Sequence, residues 1–386
     1  MSAGNVTRRG KQSWRLKFDI GRNPATGERQ TRLVTVKGTK REAQVELTRL
    51  VAAHDAGTLL EPSKLTVSDY MRAWVGTAET LSLSAKTAER YRQLIERQIV
   101  PHLGLHALQK LKAAHVADWH AKLLREGGHK RGPLAARTVG HAHRVLHKGL
   151  ADAMRRELLT RNPAALVSPP KVSADEVEIL SADQVRAALG AMRGTVIYPQ
   201  VVVLLATGMR RGELMGLQWG DVDCEVGKLR VERAVEKTKT HGLRIKAPKT
   251  RHGRRAITLP AVAIAVLREH RKAQLELRMA LGIGKLPDDA FVFGTVEGKV
   301  RDPDRITQDW KRFAAARGGP KVTLHALRHS HASALIASGA DPVTVSRRLG
   351  HGSPVVTMSV YAHLFDRSDE AAAKAIDAVL SAKGCP

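Results

Sequence analysis

Four short stretches in the second half of this 386-residue chain combine cations with groups that can donate or move protons. In "ATGMRRGELMGLQWGDVD" an apolar run ends at Gly208, Arg210 and Arg211 follow at once, and Glu213 stands at the start of the next helix. A guanidinium at such a junction can grip a phosphate through two parallel hydrogen bonds, and a carboxylate three residues on can orient it. Alone, an Arg-Arg pair after a turn is more often plain surface charge. In "APKTRHGRRAITLP" a basic loop precedes a strand, so Lys246 and Lys249 fall near a hairpin tip, where an ammonium can reach into a groove and give up a proton. Most tip lysines only solubilise. "TLHALRHSHASALIASGADP" reads as a helix capped near Thr323 and ended by Gly339, with His325 and Arg328 on one face and His329 close to it. Two histidines four residues apart can share a zinc ion, but Ala326 stands where a zinc-protease helix has its glutamate, and no nearby carboxylate or cysteine suggests a third ligand. In "RRLGHGSPVVTMSVYAHL" His351 follows a helix end and Tyr361 lies in a short new helix. With an ordinary pKa of about 10, that phenol is core packing or a surface group unless neighbours help remove its proton.

The composition names the kind of partner such groups would meet. Lys plus Arg number 64 against 37 Asp plus Glu, a formal charge of +27, and so cationic a surface repels itself unless it meets a polyanion, with nucleic acid the foremost choice. An apolar content of 43% argues for a folded protein, and the length allows two or three domains. The sequence offers neither an apolar leader nor a run long enough to span a membrane, which predicts a cytoplasmic protein. Two cysteines, Cys224 and Cys385, are too few for a disulfide framework or a cysteine zinc site.

The elements that must position these groups can be read in outline. Near the N-terminus two alternating runs flank a Gly/Asn/Pro/Thr turn and lead into a helical pattern at Ala43, Leu47 and Leu50, which predicts a small sheet with one helix. Residues 1–50 hold twelve Lys/Arg against four Asp/Glu, and a basic sheet face can lie against phosphates or in a DNA groove, with Arg15, Lys17, Arg29 and Arg32 as its candidates. Four amphipathic stretches between about 65 and 167 predict a helical domain, with Thr66, Ser84 and Ala135 near helix starts and Pro101, Gly104 and Gly127-Gly128 as breaks. Its polar faces carry Arg90 and Arg144 among other cations that can follow a phosphate backbone. "RNPAALVSPPKVSADEVE" is the candidate linker. Beyond it the pattern is helix, short strands, then helices. The fold class expected is therefore multidomain: a small α+β N-terminal domain, an all-α four-helix domain, and a mainly α C-terminal α+β domain with a small β-sheet.

Arg, Lys, His-x-x-Arg, His and Tyr in that order, in a basic chain of this size, resemble the tyrosine recombinases, the phage-integrase family of site-specific recombinases. The resemblance rests on "TGMRRGEL", "PKTRHGRRAITLP", "LHALRHSHAS" and "LGHGSPVVTMSVYAHL", with Arg328 and His351 separated by 23 positions and His351 and Tyr361 by 10. Ala326, where members often have Asp, and His331, where an aromatic is common, depart from the pattern at positions outside the catalytic set. The upstream parts match by pattern more than by motif.

The resemblance implies three domains: residues 1–60 an arm-type DNA-binding domain, 64–170 a helical core-binding domain, and 176–386 the catalytic domain. It implies a catalytic set of Arg210, Lys249, His325, Arg328, His351 and Tyr361, with Tyr361 the nucleophile, His325 accepting or holding its proton, His351 donating to the phosphate, Lys249 protonating the departing 5′-oxygen and Glu213 supporting Arg210. Lys249 is favoured over Lys246 because it stands before a Thr, and Arg211, His329 and His331 are left to packing or backbone contact with DNA. The implied activity is integration and excision of a prophage or other mobile element through a 3′-phosphotyrosyl intermediate, with no metal, cofactor or ATP. Implied partners are double-stranded attachment sites, three further protomers in a tetramer on two sites, a directionality factor and a DNA-bending host protein, within the bacterial nucleoid. A resolvase of the same family is disfavoured by the basic N-terminal domain, and an inactive DNA-binding regulator by the filled catalytic positions. The helix "RSDEAAAKAIDAVLSAK" is equally compatible with packing on its own domain and on a neighbouring protomer.

Overall fold

The computed structural model describes residues 4–22, 25–57, 59–81, 83–128, 132–172, 178–248, 251–316, 319–320, 322–365, 373, 376–378 and 380–381. The chain divides into two compact units, Met1–Ser173 and Ala174–Pro386.

In the first unit, β1 (Asn5–Gly10), β2 (Ser13–Arg22) and β3 (Arg29–Lys37) form an antiparallel sheet in that order. Alternation along β2 buries Leu16 and Phe18 and exposes Arg15 and Lys17, as a sheet covered on one face requires. The cover is α1 (Lys40–Asp55), whose start is fixed by Thr39 and Glu42 bonding reciprocally to each other's backbone, and which buries Ala43, Leu47 and Leu50.

The helical part that follows packs α2 (Val67–Leu81), α3 (Ala85–Leu94), α4 (Val100–Leu103), α5 (Ala113–Glu126) and α6 (Ala136–Arg155) around Trp74, Ile95, Trp119 and Leu146. Pro101, expected as a break, does not end its helix. A π-helical turn over Ile95–Ile99 joins α3 to α4, and Pro101 sits just beyond it, near the start of α4. The wider turn offsets the carbonyls that a proline ring would strike, so the chain stays helical to Leu103. The front of the expected linker is also packed: Pro163 and Ala164 are buried in a short 3₁₀ turn, and the Asn162 side-chain amide donates to the His147 carbonyl at 2.9 Å.

The second unit is built on α8 (Tyr198–Thr207), whose Val201, Val202, Val203 and Leu204 are all buried. A helix apolar all round belongs in a core, and α8 lies against α7 (Ala182–Met192), α10 (Ala261–Ala280) and α12 (Ala326–Ala337). Between α8 and α10 come α9 (Arg211–Met215), a sheet ordered β4 (Val222–Asp223), β5 (Lys228–Val231), β8 (Arg255–Thr258), and a hairpin of β6 (Ala234–Thr238) with β7 (Gly242–Lys246). α11 (Pro303–Ala316), α13 (Pro342–Leu349) and α14 (Pro354–Tyr361) complete the described unit. A separate small core of Ala332, Ile336, Val345, Leu349 and Tyr361 ties α12, α13 and α14 together. The architecture is helix-rich with small antiparallel sheets.

Candidate active site

Two helix ends create the site. α8 and α13 each stop at a left-handed glycine, Gly208 (φ +64) and Gly350 (φ +69), and both turns leave carbonyls facing outward from a helix C-terminus. At Gly208 a Cβ would lie 2.6 Å from the His331 ring and 2.8 Å from Leu349, so glycine is required for space as well as for φ.

Cations gather on those carbonyls, which carry the negative end of the helix dipole. Arg328, 4% exposed on α12, donates to the Gly208 carbonyl at 2.5 Å and the Leu349 carbonyl at 2.8 Å. Arg210, at the start of α9, donates to the next carbonyl, Gly350, at 3.3 Å. The loop Leu349–Gly350–His351 is therefore held by both guanidiniums. Burial and the neighbouring Arg210 draw Arg328 down to about 9, which leaves it charged at neutral pH.

Glu213 balances this charge from below. Its Oε1 takes the Arg210 Nη1 at 2.8 Å, its Oε2 takes the Arg210 backbone N–H at 3.0 Å, and the same Oε2 takes Arg255 Nη2 at 2.9 Å. Burial alone would raise the Glu213 carboxyl, but Arg255 and then Arg210 outweigh it and hold it below the usual range. The Glu213 side chain is 4% exposed and that of Arg210 43%, so the carboxylate anchors while the guanidinium still reaches solvent. Arg255, from β8, also donates to the Arg348 carbonyl at 2.7 Å. Sequence reasoning passed over Arg255, because nothing in "RHGRRAITLP" separates it from the arginine before it.

His351 bonds the Thr357 hydroxyl at 2.8 Å through Nδ1. Burial, with Arg328, Arg210 and Arg255 facing it, lowers it to about 4, so it is neutral at pH 7. His325 shares a cavity of about 250 Å³ with Met209, Arg211, Thr323 and Arg328. Burial and Arg328 lower His325 as well.

Tyr361 is 2% exposed, and burial pushes its phenol up to about 12. Its hydroxyl lies 2.6 Å from Nδ1 of His329, whereas His325 meets His329 edge to face with ring centroids 4.9 Å apart. The partner of the phenol is thus the histidine assigned from sequence to packing or DNA contact. Helix periodicity puts His325 and His329 on one face and cannot say which of them α14 brings Tyr361 against.

The other candidates are distributed as follows. Lys249 lies outside the described residues. Lys246 is ion-paired with the buried Glu236 across the β6–β7 hairpin. Arg211 turns to α11, pairing with Asp304 at 2.9 Å and Thr307 at 2.7 Å. His331 is buried between the Leu205 carbonyl and the Arg348 guanidinium. On the N-terminal sheet, Arg15, Lys17 and Arg29 share the face away from α1, with Arg29 held by Asp19 at 2.6 Å. Arg32 falls on the α1 side, opposite buried Phe18, and donates to the Leu60 carbonyl at 3.0 Å. In the helical part Arg90 and Arg144 are exposed and both lower the same histidine, His141, after burial.

Residues 178–368 match the phage integrase family, and residues 66–124 match the phage integrase N-terminal SAM-like domain. An integrase of Streptomyces ambofaciens is 29% identical, over 91% of this chain and 89% of its own. Among solved structures, the Tn1549 transposon integrase in complex with a circular intermediate DNA superposes with a TM-score of 0.65 at 19% identity, covering 82% of this chain and 99% of that one. A lambda integrase tetramer bound to a Holliday junction gives 0.58 at 17%, covering 95% and 97%. The chain belongs to the phage integrase family. Within it, the protein is a site-specific integrase, an enzyme of the tyrosine recombinase class.

Proposed function

We propose that this integrase cuts and rejoins double-stranded attachment-site DNA through Tyr361, which attacks the scissile phosphodiester to give a 3′-phosphotyrosine and a free 5′-hydroxyl. A partner strand's 5′-hydroxyl then attacks that linkage and releases the tyrosine, so the bond energy is conserved and no ATP is consumed. The observation that carries this reading is the convergence of Arg210 and Arg328 on adjacent carbonyls of the turn that bears His351, with Arg328 opposing the burial that raises the Tyr361 phenol. Charge grows on the nonbridging oxygens in the pentacoordinate transition state, and two preorganised guanidiniums supply there what a metal ion supplies elsewhere.

His351 donates to the phosphate in this scheme, while His325, to which the resemblance gives the tyrosine proton, lines the cavity beside Arg328 and meets edge to face the His329 ring that holds the phenol. Burial first and then the facing arginines lower both His351 and His325, and an entering phosphodiester offsets the arginine charge. Lys249 is the general acid for the departing 5′-oxygen. The pairing of Lys246 with Glu236 supports that choice over its neighbour. Residues 1–60, 64–170 and 176–386 serve as arm-binding, core-binding and catalytic domains. Arg15, Lys17, Arg29, Arg32, Arg90 and Arg144 are DNA contacts in this scheme, with Arg32 the weakest because it faces α1. The lambda tetramer on a Holliday junction supports a tetramer on two sites here; a directionality factor and a DNA-bending protein complete the assembly in this scheme. The element it moves is a prophage or other integrative element.

The test is a nicked attachment-site duplex that traps the covalent intermediate, in chelator. Wild type accumulates a protein–DNA adduct and Tyr361→Phe gives none. An adduct from the variant, or none from wild type without metal, overturns the mechanism.

A further inference from the structure

The hydrogen bond of Tyr361 assigns its proton to a residue outside the family set. We infer that His329 is a catalytic residue, accepting the phenolic proton of Tyr361 as the nucleophile attacks. The inference rests on the reading of Tyr361 as nucleophile.

The geometry carries it. Nδ1 of His329 lies 2.6 Å from the Tyr361 hydroxyl, within proton-transfer reach. His325 meets His329 edge to face and lines the cavity beside Arg328. Both partners are held: Tyr361 in the core joining α12, α13 and α14, and His329 within α12 directly after Arg328. The residue that grips the phosphate and the residue that faces the nucleophile are thus sequence neighbours on one rigid helix.

The charges fit a proton that moves only when substrate is present. Burial, then His325 and Arg328, lowers His329 to about 4, while the phenol is pushed up to about 12, so without DNA the proton stays on oxygen and Nδ1 accepts the hydrogen bond. A phosphodiester seated on Arg328 offsets the cation that disfavours imidazolium. The step then balances: the Tyr361 oxygen forms its bond to phosphorus, its proton passes to His329 Nδ1, the bond from phosphorus to the 5′-oxygen breaks, and that oxygen takes a proton from Lys249. Rejoining runs the same transfers in reverse.

The test uses the full chain on the nicked duplex with either oxygen or sulfur at the 5′-bridging position, because a thiolate leaves without needing a proton. His329→Ala slows adduct formation about 100-fold or more on both substrates. The deficit shrinks about tenfold per pH unit from 7 to 9 as hydroxide supplies the phenolate that His329 no longer generates. Lys249→Ala, in contrast, is rescued by sulfur. His329→Asn keeps a hydrogen-bond acceptor without a basic nitrogen and shows the same pH slope, which covers the case in which alanine loosens α12. A His329→Ala or His329→Asn rate within about threefold of wild type, a deficit that does not change with pH, or transfer of the pH-dependent deficit to His325→Ala overturns the inference. An adduct formed by Tyr361→Phe instead overturns the nucleophile assignment, so the two failures are distinguishable.

Discussion

Glu213 is the point at which a conservative change should travel furthest. Its carboxylate is 4% exposed and accepts three hydrogen bonds, one from the Arg210 guanidinium, one from the Arg210 backbone and one from Arg255, whose own side chain is 7% exposed. Glu213→Gln preserves volume, but it removes the charge facing two guanidiniums, and the amide nitrogen must point at one of them. Hydrogen bonds to charged groups contribute about 1.5–3 kcal/mol each, so losing the charge while retaining part of the geometry destabilises the second unit by about 2 kcal/mol. For a unit of this size that lowers the melting temperature by about 4–8 °C. Glu213→Ala leaves Arg255 buried without its anion and costs about 3–5 kcal/mol. The assay is thermal unfolding followed by near-ultraviolet circular dichroism, which reports the buried Trp219 and Trp310 of this unit, with adduct trapping in parallel. The double change Glu213→Gln with Arg255→Met should cost less than the sum of the two single changes, since each removes the other's unmet partner. A Glu213→Gln protein that melts within 1 °C of wild type, or strictly additive costs in the double variant, would refute the view that this carboxylate balances the arginine cluster.

Gly208→Ala, with φ at +64 and a Cβ 2.6 Å from the His331 ring, should destabilise by about 2–4 kcal/mol from backbone strain and overpacking together, measured by the same melt. His331 is 8% exposed and lowered from 6.5 to about 4, chiefly by burial. Between those values the unfolded chain binds a proton that the folded one excludes, so stability falls as pH drops from 6.5 toward 4, by on the order of 1–2 kcal/mol at pH 5. A His331→Gln variant should lose that share of the dependence; an unchanged pH profile would count against it. On the N-terminal sheet, Arg15→Ala and Lys17→Ala should each reduce the slope of log affinity against log salt by about 1 for arm-site DNA without moving the melt. Arg32→Ala, which loses the bond to the Leu60 carbonyl, should affect stability more than the salt slope; gel-shift titrations at several salt concentrations read the difference.

Much of the fold was legible because it depends on local pattern. The alternation of Leu16 and Phe18 with Arg15 and Lys17, the helical spacing of Ala43, Leu47 and Leu50 and the apolar run of α8 fix element types within a few residues of themselves. Pro101 misled because proline's local rule was overridden by a π turn that only the packed helix pair reveals. The placing of Arg32 on the α1 side was not legible, because side-chain alternation gives two faces but which of them α1 covers is a tertiary fact.

The site divides along the same line. The order and spacing of Arg210, His325, Arg328, His351 and Tyr361 were set by the sequence, since these residues sit at helix ends and on helix faces whose positions follow from glycines and apolar periodicity. Which groups touch was decided only when α8, α12, α13 and α14 packed. Arg255 reaches Glu213 across 42 positions, Arg328 reaches the Gly208 carbonyl across 120, and Tyr361 meets His329 rather than His325 across 32. A helix presents both histidines on one face, and four residues of rise, about 6 Å, separate them. A hydrogen bond needs about 2.7 Å between its heavy atoms, so the choice between the two histidines is made by how α14 packs against α12, which no spacing within either helix specifies.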